Sequence, residues 1–210
     1  MGRKKIQEKR FEIEQEFESR FFSCEKDTRA IVEKLFVNTQ PYSDYLKRLL
    51  IINTKDCLDN RINPMYIEKV KSTQVKDLYE NGYIRIKPKL SLSEHEDVKS
   101  YILISYDNFA PTKENDYYSD CTLIIDIICH TDYWDIGDFR VRPLKIAGYI
   151  NSLLNGCRLS GIGKLQWIGM TETILSEELS GYSLMYQATH GVDDVEKIDL
   201  EDMSESDDDD

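Results

Sequence analysis

The sequence predicts an α+β domain. Its core is an antiparallel sheet of about four to five strands with helices packed on one face. A long N-terminal helix precedes it and a disordered acidic tail follows. Three observations predict this. Apolar residues recur at helical spacing as far as residue 81. From residue 82 they alternate, or run in blocks of strand length. One segment of helical period, 138–156, then lies between two strand-like blocks. The chain has 210 residues, enough for one domain with appendages. Three parts are expected: a helical arm over 1–25, the folded domain over 26–191 and an acidic tail over 192–210.

Taken in order, residues 3–22 place Ile6, Phe11, Ile13, Phe17, Phe21 and Phe22 on a thin helical stripe. Residues 27–36 read as a second, short helix capped by Asp27 or Thr28. A third helix covers 41–52, with Tyr45, Leu46, Leu49, Leu50 and Ile52 as its apolar face. A fourth follows Pro64 and stops at Asn81–Gly82, with Ser72–Thr73 fitting it poorly. The period then changes. Residues 82–90 alternate Ile84 and Ile86 with basic residues, and Pro88 favours an edge position or a strand end. Residues 101–106 are a short buried strand. The polar stretch 107–120 reads as a protruding loop.

The strongest strand is CTLIIDIICH, residues 121–130. Cys121, Leu123, Ile125, Ile127 and Cys129 form an apolar face that should meet the helices. Thr122, Ile124, Asp126, Ile128 and His130 form a mixed face. After a loop, Asp138 is expected to cap a helix that tolerates Pro143 in its first turn. Leu144, Ile146, Ala147, Ile150, Leu153 and Leu154 give that helix its buried face, and Gly156 ends it. GIGKLQWIGM (161–170) and GYSLMYQATH (181–190) read as two antiparallel strands joined by the polar linker TETILSEELS. Beyond Gly191 the chain lacks the apolar residues to order itself.

Charge and cysteines narrow the function. The formal net charge is −12, but residues 193–210 hold eleven acidic residues against Lys197 alone. The body is therefore nearly neutral and has no basic stripe of the kind nucleic-acid binding requires. The five cysteines, at 24, 57, 121, 129 and 157, make no C-x-x-C pair and no disulfide or zinc pattern. No apolar run approaches the ~20 residues needed to span a membrane. The charged N-terminus lacks the apolar region of a signal peptide, so synthesis in a reducing cytoplasm is expected.

No catalytic set assembles from the sequence. Asp126 and His130 share a strand face four residues apart, ~13 Å along the strand, too far for one metal ion to bind both directly. An Asp on a central strand suits a metal-dependent nuclease, but further carboxylates and a lysine would have to converge on it. Gly161-Ile162-Gly163-Lys164 resembles part of a phosphate loop. It lacks the upstream glycine and the hydroxyl residue, and it opens a strand instead of a helix. Neither cofactor nor metal is expected. Arg140 and Arg142 read as local ion-pairing residues or as intersubunit salt bridges. Trp134 reads as core or as an aromatic anchor. The five basic residues Arg3, Lys4, Lys5, Lys9 and Arg10 form a candidate surface for docking on an acidic neighbour.

The order of these elements resembles the tail-terminator and tail-completion proteins of tailed bacteriophages, found in the neck between capsid and tail. A strand leads into an Arg-containing helix ending in a Leu-Leu pair, matched by Arg140, Arg142, Leu153 and Leu154. A late Gly-Tyr strand is matched by Gly181, Tyr182, Leu184 and Tyr186. LFVNT and LLIINTKD are similar to the family's N-terminal helices. The resemblance spans about residues 30–191. The long N-terminal helix and the acidic tail depart from a minimal terminator. The resemblance implies a non-enzymatic virion protein that forms a ring of six or twelve copies in the neck. Its partners would be portal and tail proteins, and DNA would pass through the lumen without specific binding. It also implies subunit contacts through the sheet edges and the 140–154 helix. Asp126, His130, Trp134, Arg140, Arg142, Tyr182 and Tyr186 are then the candidate interface residues. Two other readings compete: a small phage nuclease using Asp126, and a non-viral adaptor with an acidic tail.

Overall fold

The computed structural model describes residues 20–37, 39–59, 61–87, 99–112, 118–159 and 163–191. The acidic tail, the basic N-terminal cluster and most of the N-terminal stripe lie outside them. Helix α1 spans Arg20–Phe36. No breaker separates Phe22 from Asp27, so the helix runs through the position where a separate 27–36 helix was expected to start. Asp27 and Thr28 therefore do not cap it. Both are buried in its interior, and the Thr28 hydroxyl meets the Tyr106 phenol at 3.1 Å.

Helix α2, Tyr42–Ile51, buries Leu46, Leu49 and Leu50 as its spacing predicts, and Ile52 follows them into the core. The expected fourth helix is two helices, α3 (Pro64–Ser72) and α4 (Val75–Glu80). Asn63 starts α3 by accepting a hydrogen bond from the Met65 amide at 3.0 Å. The Lys69 carbonyl then accepts from the Thr73 amide and hydroxyl, closing the helix. Asp77 restarts it, accepting from the Gln74 amide at 2.7 Å in a capping box. Two competing local hydrogen-bonding residues thus split one apolar stripe.

The sheet has five strands: β1 (Ile84–Arg85), β2 (Ser100–Pro111), β3 (Tyr118–His130), β4 (Gln166–Ile174) and β5 (Leu179–Gly191). Their order is β1-β2-β3-β5-β4. Among the described residues the β1–β2 pair alone is parallel, and the β2–β3, β3–β5 and β4–β5 pairs are antiparallel. The fold is α+β, with CTLIIDIICH in its central strand. Several boundaries differ from expectation. Ordered pairing in the 82–90 segment covers only Ile84 and Arg85. β2 and β3 extend into the supposed loop 107–120, reaching Pro111 and starting at Tyr118, across a bulge between Asp107 and Ala110. There Asn108 adopts φ 56°, which Asn tolerates. The supposed linker 171–180 is largely strand, because β4 continues to Ile174 and β5 begins at Leu179. Cross-strand pairing overrides the polar character of both segments.

Helix α5, Arg142–Leu154, crosses over from the central strand to the edge strand β4. Asp138 does not cap it. Asp138 and Phe139 instead take φ 52° and 58° in the preceding turn, and Val141 holds the cap position. Ile146, Ala147, Ile150 and Leu154 face the core, whereas Leu144 is exposed and Leu153 is half-buried. Gly156, at φ 76°, ends the turn beyond the helix.

The main core lies between α1, α2, α5 and one sheet face. All five residues of the apolar β3 face, from Cys121 to Cys129, are buried there with Ile31, Leu35, Ile146 and Ile150. Each fully buried Leu or Ile contributes about 1.5–3 kcal/mol to folding. The opposite face is not simply wet. Tyr101, Leu103, Ile128 and Leu179 make a second, small apolar cluster on it. Gly181 sits where β5 crosses β3: a Cβ there would lie 1.8 Å from the Ile127 carbonyl oxygen. Glycine is required by close approach of two backbones.

Candidate functional site

The polar residues singled out by sequence scatter over the domain. Asp126 sits mid-strand on the face away from the helices, opposite Leu103 and Ser183. The Ser183 hydroxyl donates to its carboxylate, and Thr173 bonds Ser183 in turn. Burial raises the Asp126 pKa, opposed by the bond from Ser183. Asp126 therefore belongs to a hydrogen-bonded row across β3, β5 and β4. His130, largely buried at the end of β3, caps the next turn by accepting from the Asp132 amide at 3.3 Å. Its ring lies 3.6 Å from the Asp132 carboxylate and 3.9 Å from that of Glu178. Asp126 and His130 do not share partners. Among the described residues no group of three or more His, Cys, Asp or Glu side chains is arranged to hold a metal ion.

Trp134 is half-buried. Its indole nitrogen donates to the Cys129 carbonyl at 3.3 Å, and its ring lies 6.3 Å from that of Tyr182. Tyr186 is fully buried. Its hydroxyl donates to the Asn151 side chain at 3.1 Å, and burial pushes its phenol pKa up. Arg140 is exposed and pairs with Asp138 at 3.0 Å. Lys164, of the glycine-lysine fragment, sits in an isolated bridge with Arg158.

Arg142 has no exposed surface. Its guanidinium donates to the carbonyls of Tyr133 at 2.7 Å, Leu49 at 2.5 Å, Ile52 at 3.0 Å and Thr54 at 2.9 Å. The Leu49 carbonyl belongs to the last turn of α2, where carbonyls lack helical partners and the dipole is negative. Arg142 thus locks the end of α2 to the start of α5. Arg48 performs a related task from inside α2, donating to the Cys57 carbonyl at 2.7 Å and to that of Asp59. Sequence reading missed Arg48. Its signal was a cation in the last turn of a helix, followed by a loop with carbonyls to satisfy.

A run of exposed apolar side chains lies elsewhere, on β4. Among the described residues this edge strand pairs with β5 alone; seven of its nine residues are exposed, and Gly169 and Thr173 are half-buried. It exposes Trp167 at 44 %, Ile168 at 52 %, Met170 at 40 % and Ile174 at 70 %. Trp167, Met170, Glu172 and Ile174 stand opposite Tyr186, Leu184, Tyr182 and Ser180, so they project on the helix side of the sheet. Glu172 is the strand's one charged residue. Sequence reading missed this surface because it ended the strand at Met170. The signal was present: four large apolar residues between 167 and 174 in a stretch otherwise polar.

A family model described as YomW matches residues 43–188, well over half of the chain. No curated protein matches it. Among solved structures, a chain of the virion of a native gene transfer agent particle is similar over 59 % of this chain and 90 % of its own length. The two share 13 % identity, with a TM-score of 0.39.

Proposed function

The chain belongs to the YomW family, a phage-associated family, and from that membership we propose that it is a non-enzymatic structural component of a phage virion. Its place is the neck, as a tail-terminator or tail-completion ring joining the portal complex to the tail. The observation that carries the assembly reading is β4. Monomeric proteins blunt their edge strands with charge, proline or brevity. This edge runs for nine residues with one charge and four exposed apolar side chains. Such a strand offers unpaired backbone groups and apolar surface together, which is what sheet-edge association uses. The order of elements from the central strand through Arg140, Arg142, Leu153 and Leu154 to the Gly181–Tyr186 strand supports the neck assignment by resemblance.

Of the interface candidates, Arg140 and the half-buried Trp134, Tyr182 and Asp126 keep surface to offer. Arg142 and Tyr186 serve the interior of one chain. Six or twelve copies arranged head to tail would close the ring. Mass determination and negative-stain microscopy of the purified full chain test this. Closed rings of defined stoichiometry are expected, and a chain that stays monomeric at high concentration overturns the ring. A magnesium-dependent nuclease activity lost in Asp126→Asn would overturn the non-enzymatic reading in favour of the nuclease.

A further inference from the structure

We propose that the partner of β4 is the opposite edge of the same sheet in a second copy: β4 of one chain docks along β1 of the next, its apolar side chains filling the groove between α1 and α4. This rests on the ring reading and names the contact that would build it.

The groove is the complement of the strand. It measures about 510 Å³ and is lined mainly by Val32 of α1 and Val37 just beyond it, Val75 and Tyr79 of α4, and Ile84 and Ile86 at β1. Ile84 stands opposite Ile102, which belongs to the main core, so the groove opens on the helix side of the sheet. β1 is the outermost strand there. A strand added beyond β1 in one continuous sheet would direct its helix-side residues over this groove. On β4 those residues are Trp167, Met170, Glu172 and Ile174. The faces therefore match without turning either sheet over.

The charges match as well. Arg29 and Lys76, with one acid, Glu33, line the groove beside its apolar residues, which leaves the rim net positive. The ion pairs that Arg29 and Lys76 already make, with Glu33 and Glu80, are solvent-exposed and hold them weakly. Glu172, centred between Met170 and Ile174, brings the one acidic group of β4 to that basic rim. The two surfaces differ, so the contact is heterologous. It repeats from copy to copy and closes into a ring when the rotation allows.

The test uses the full chain and two variants blocked on opposite edges, Met170→Asp on β4 and Ile86→Asp at the groove. Both positions are exposed, and thermal unfolding matching the parent shows that each variant folds. Each variant alone is expected to lose self-association. Mixed in equal amounts, they retain one intact contact, the Met170 side of the Ile86→Asp chain against the groove of the Met170→Asp chain. The mixture should then form a species of two chains and stop there. The proposal is overturned if Ile86→Asp assembles like the parent, for β4 then docks elsewhere while the ring reading stands. It is also overturned if the mixture stays monomeric, the result expected were the groove filled by the chain's own N-terminal segment or by another virion protein. A parent chain that never associates overturns the ring reading and this contact together.

Discussion

Replacing Arg142 by alanine should destabilise the domain more than any exposed charge change. The guanidinium makes four hydrogen bonds, all to main-chain carbonyls. Bonds from a charged donor contribute about 1.5–3 kcal/mol each, so four gross about 6 kcal/mol or more. Against this stands the cost of burying the cation, several kcal/mol in a side chain with no exposed surface. Truncation removes that cost but leaves the α2 terminus and the 52–54 turn with unmet acceptors around a cavity. The net loss should be about 3–5 kcal/mol. For a domain of this size it lowers the melting temperature by roughly 6–20 °C. Arg142→Lys keeps the charge but offers three donors from one point instead of a planar fork, and should recover about half. Arg140→Ala removes an exposed pair with Asp138 and an exposed bond to the Gly137 carbonyl and should cost at most about 1 kcal/mol. Urea titrations followed by circular dichroism read all three, with unchanged slopes as the control for two-state unfolding. An Arg142→Ala chain within about 1 kcal/mol of the parent would refute the keystone role, as would full recovery by lysine.

Three further outcomes follow from the geometry. Gly181→Ala forces a methyl to 1.8 Å from the Ile127 carbonyl oxygen; β5 must shift off β3, and a loss above about 3 kcal/mol or insoluble expression is expected, so near-parental unfolding would show that the strands do not approach so closely. Burial raises the Asp126 pKa in the folded state, so the folded chain holds this proton more tightly than the unfolded one. The stability this group contributes is full below the ordinary aspartate range and lost as pH rises through the raised value; Asp126→Asn should flatten stability over that window, and an unchanged pH profile would count against it. In a Cys24→Ser chain, half-buried Cys157 should be the one thiol that reacts quickly with a disulfide reagent in the native state, since Cys57, Cys121 and Cys129 are buried and burial pushes Cys129 up to about 11. Two or more fast thiols would contradict that burial.

Much of the fold was legible because its core follows period rules. The alternation of Cys121 to Cys129 and the spacing of Leu46, Leu49 and Leu50 fixed the buried faces correctly. What was not legible depends on hydrogen bonds between distant segments. The strand ends at 111, 118, 174 and 179 are set by pairing with neighbours, which local polarity does not report. Arg142 is the clearest case. A cation at the start of a helix runs against the helix dipole, and that local conflict was a clue to a distant acceptor. Three of its four acceptors lie about 90 positions away in the chain, at and just beyond the end of another helix, where no short motif points. Asp126 and His130 failed as a site for a plainer reason. Each has its own local partners, Ser183 for one and the Asp132 turn for the other.

The two sheet edges are unequal, and that inequality constrains assembly. β1 pairs over two residues and carries Arg85, with Lys87 and Pro88 following it. Brevity, charge and proline are the features that keep an edge from adding strands indiscriminately. β4 has none of them beyond Glu172. A chain protected at both edges would stay monomeric, and one exposed at both would polymerise into sheets. Protection at one edge leaves two outcomes. If β4 paired with itself about a twofold axis, association would stop at two copies and the groove beside β1 would remain unfilled. If β4 meets the guarded edge instead, the basic residues and the groove admit only a strand with matching apolar and acidic positions. The guard then acts as a specificity filter, and one contact serves both to cover the exposed strand and to propagate the assembly.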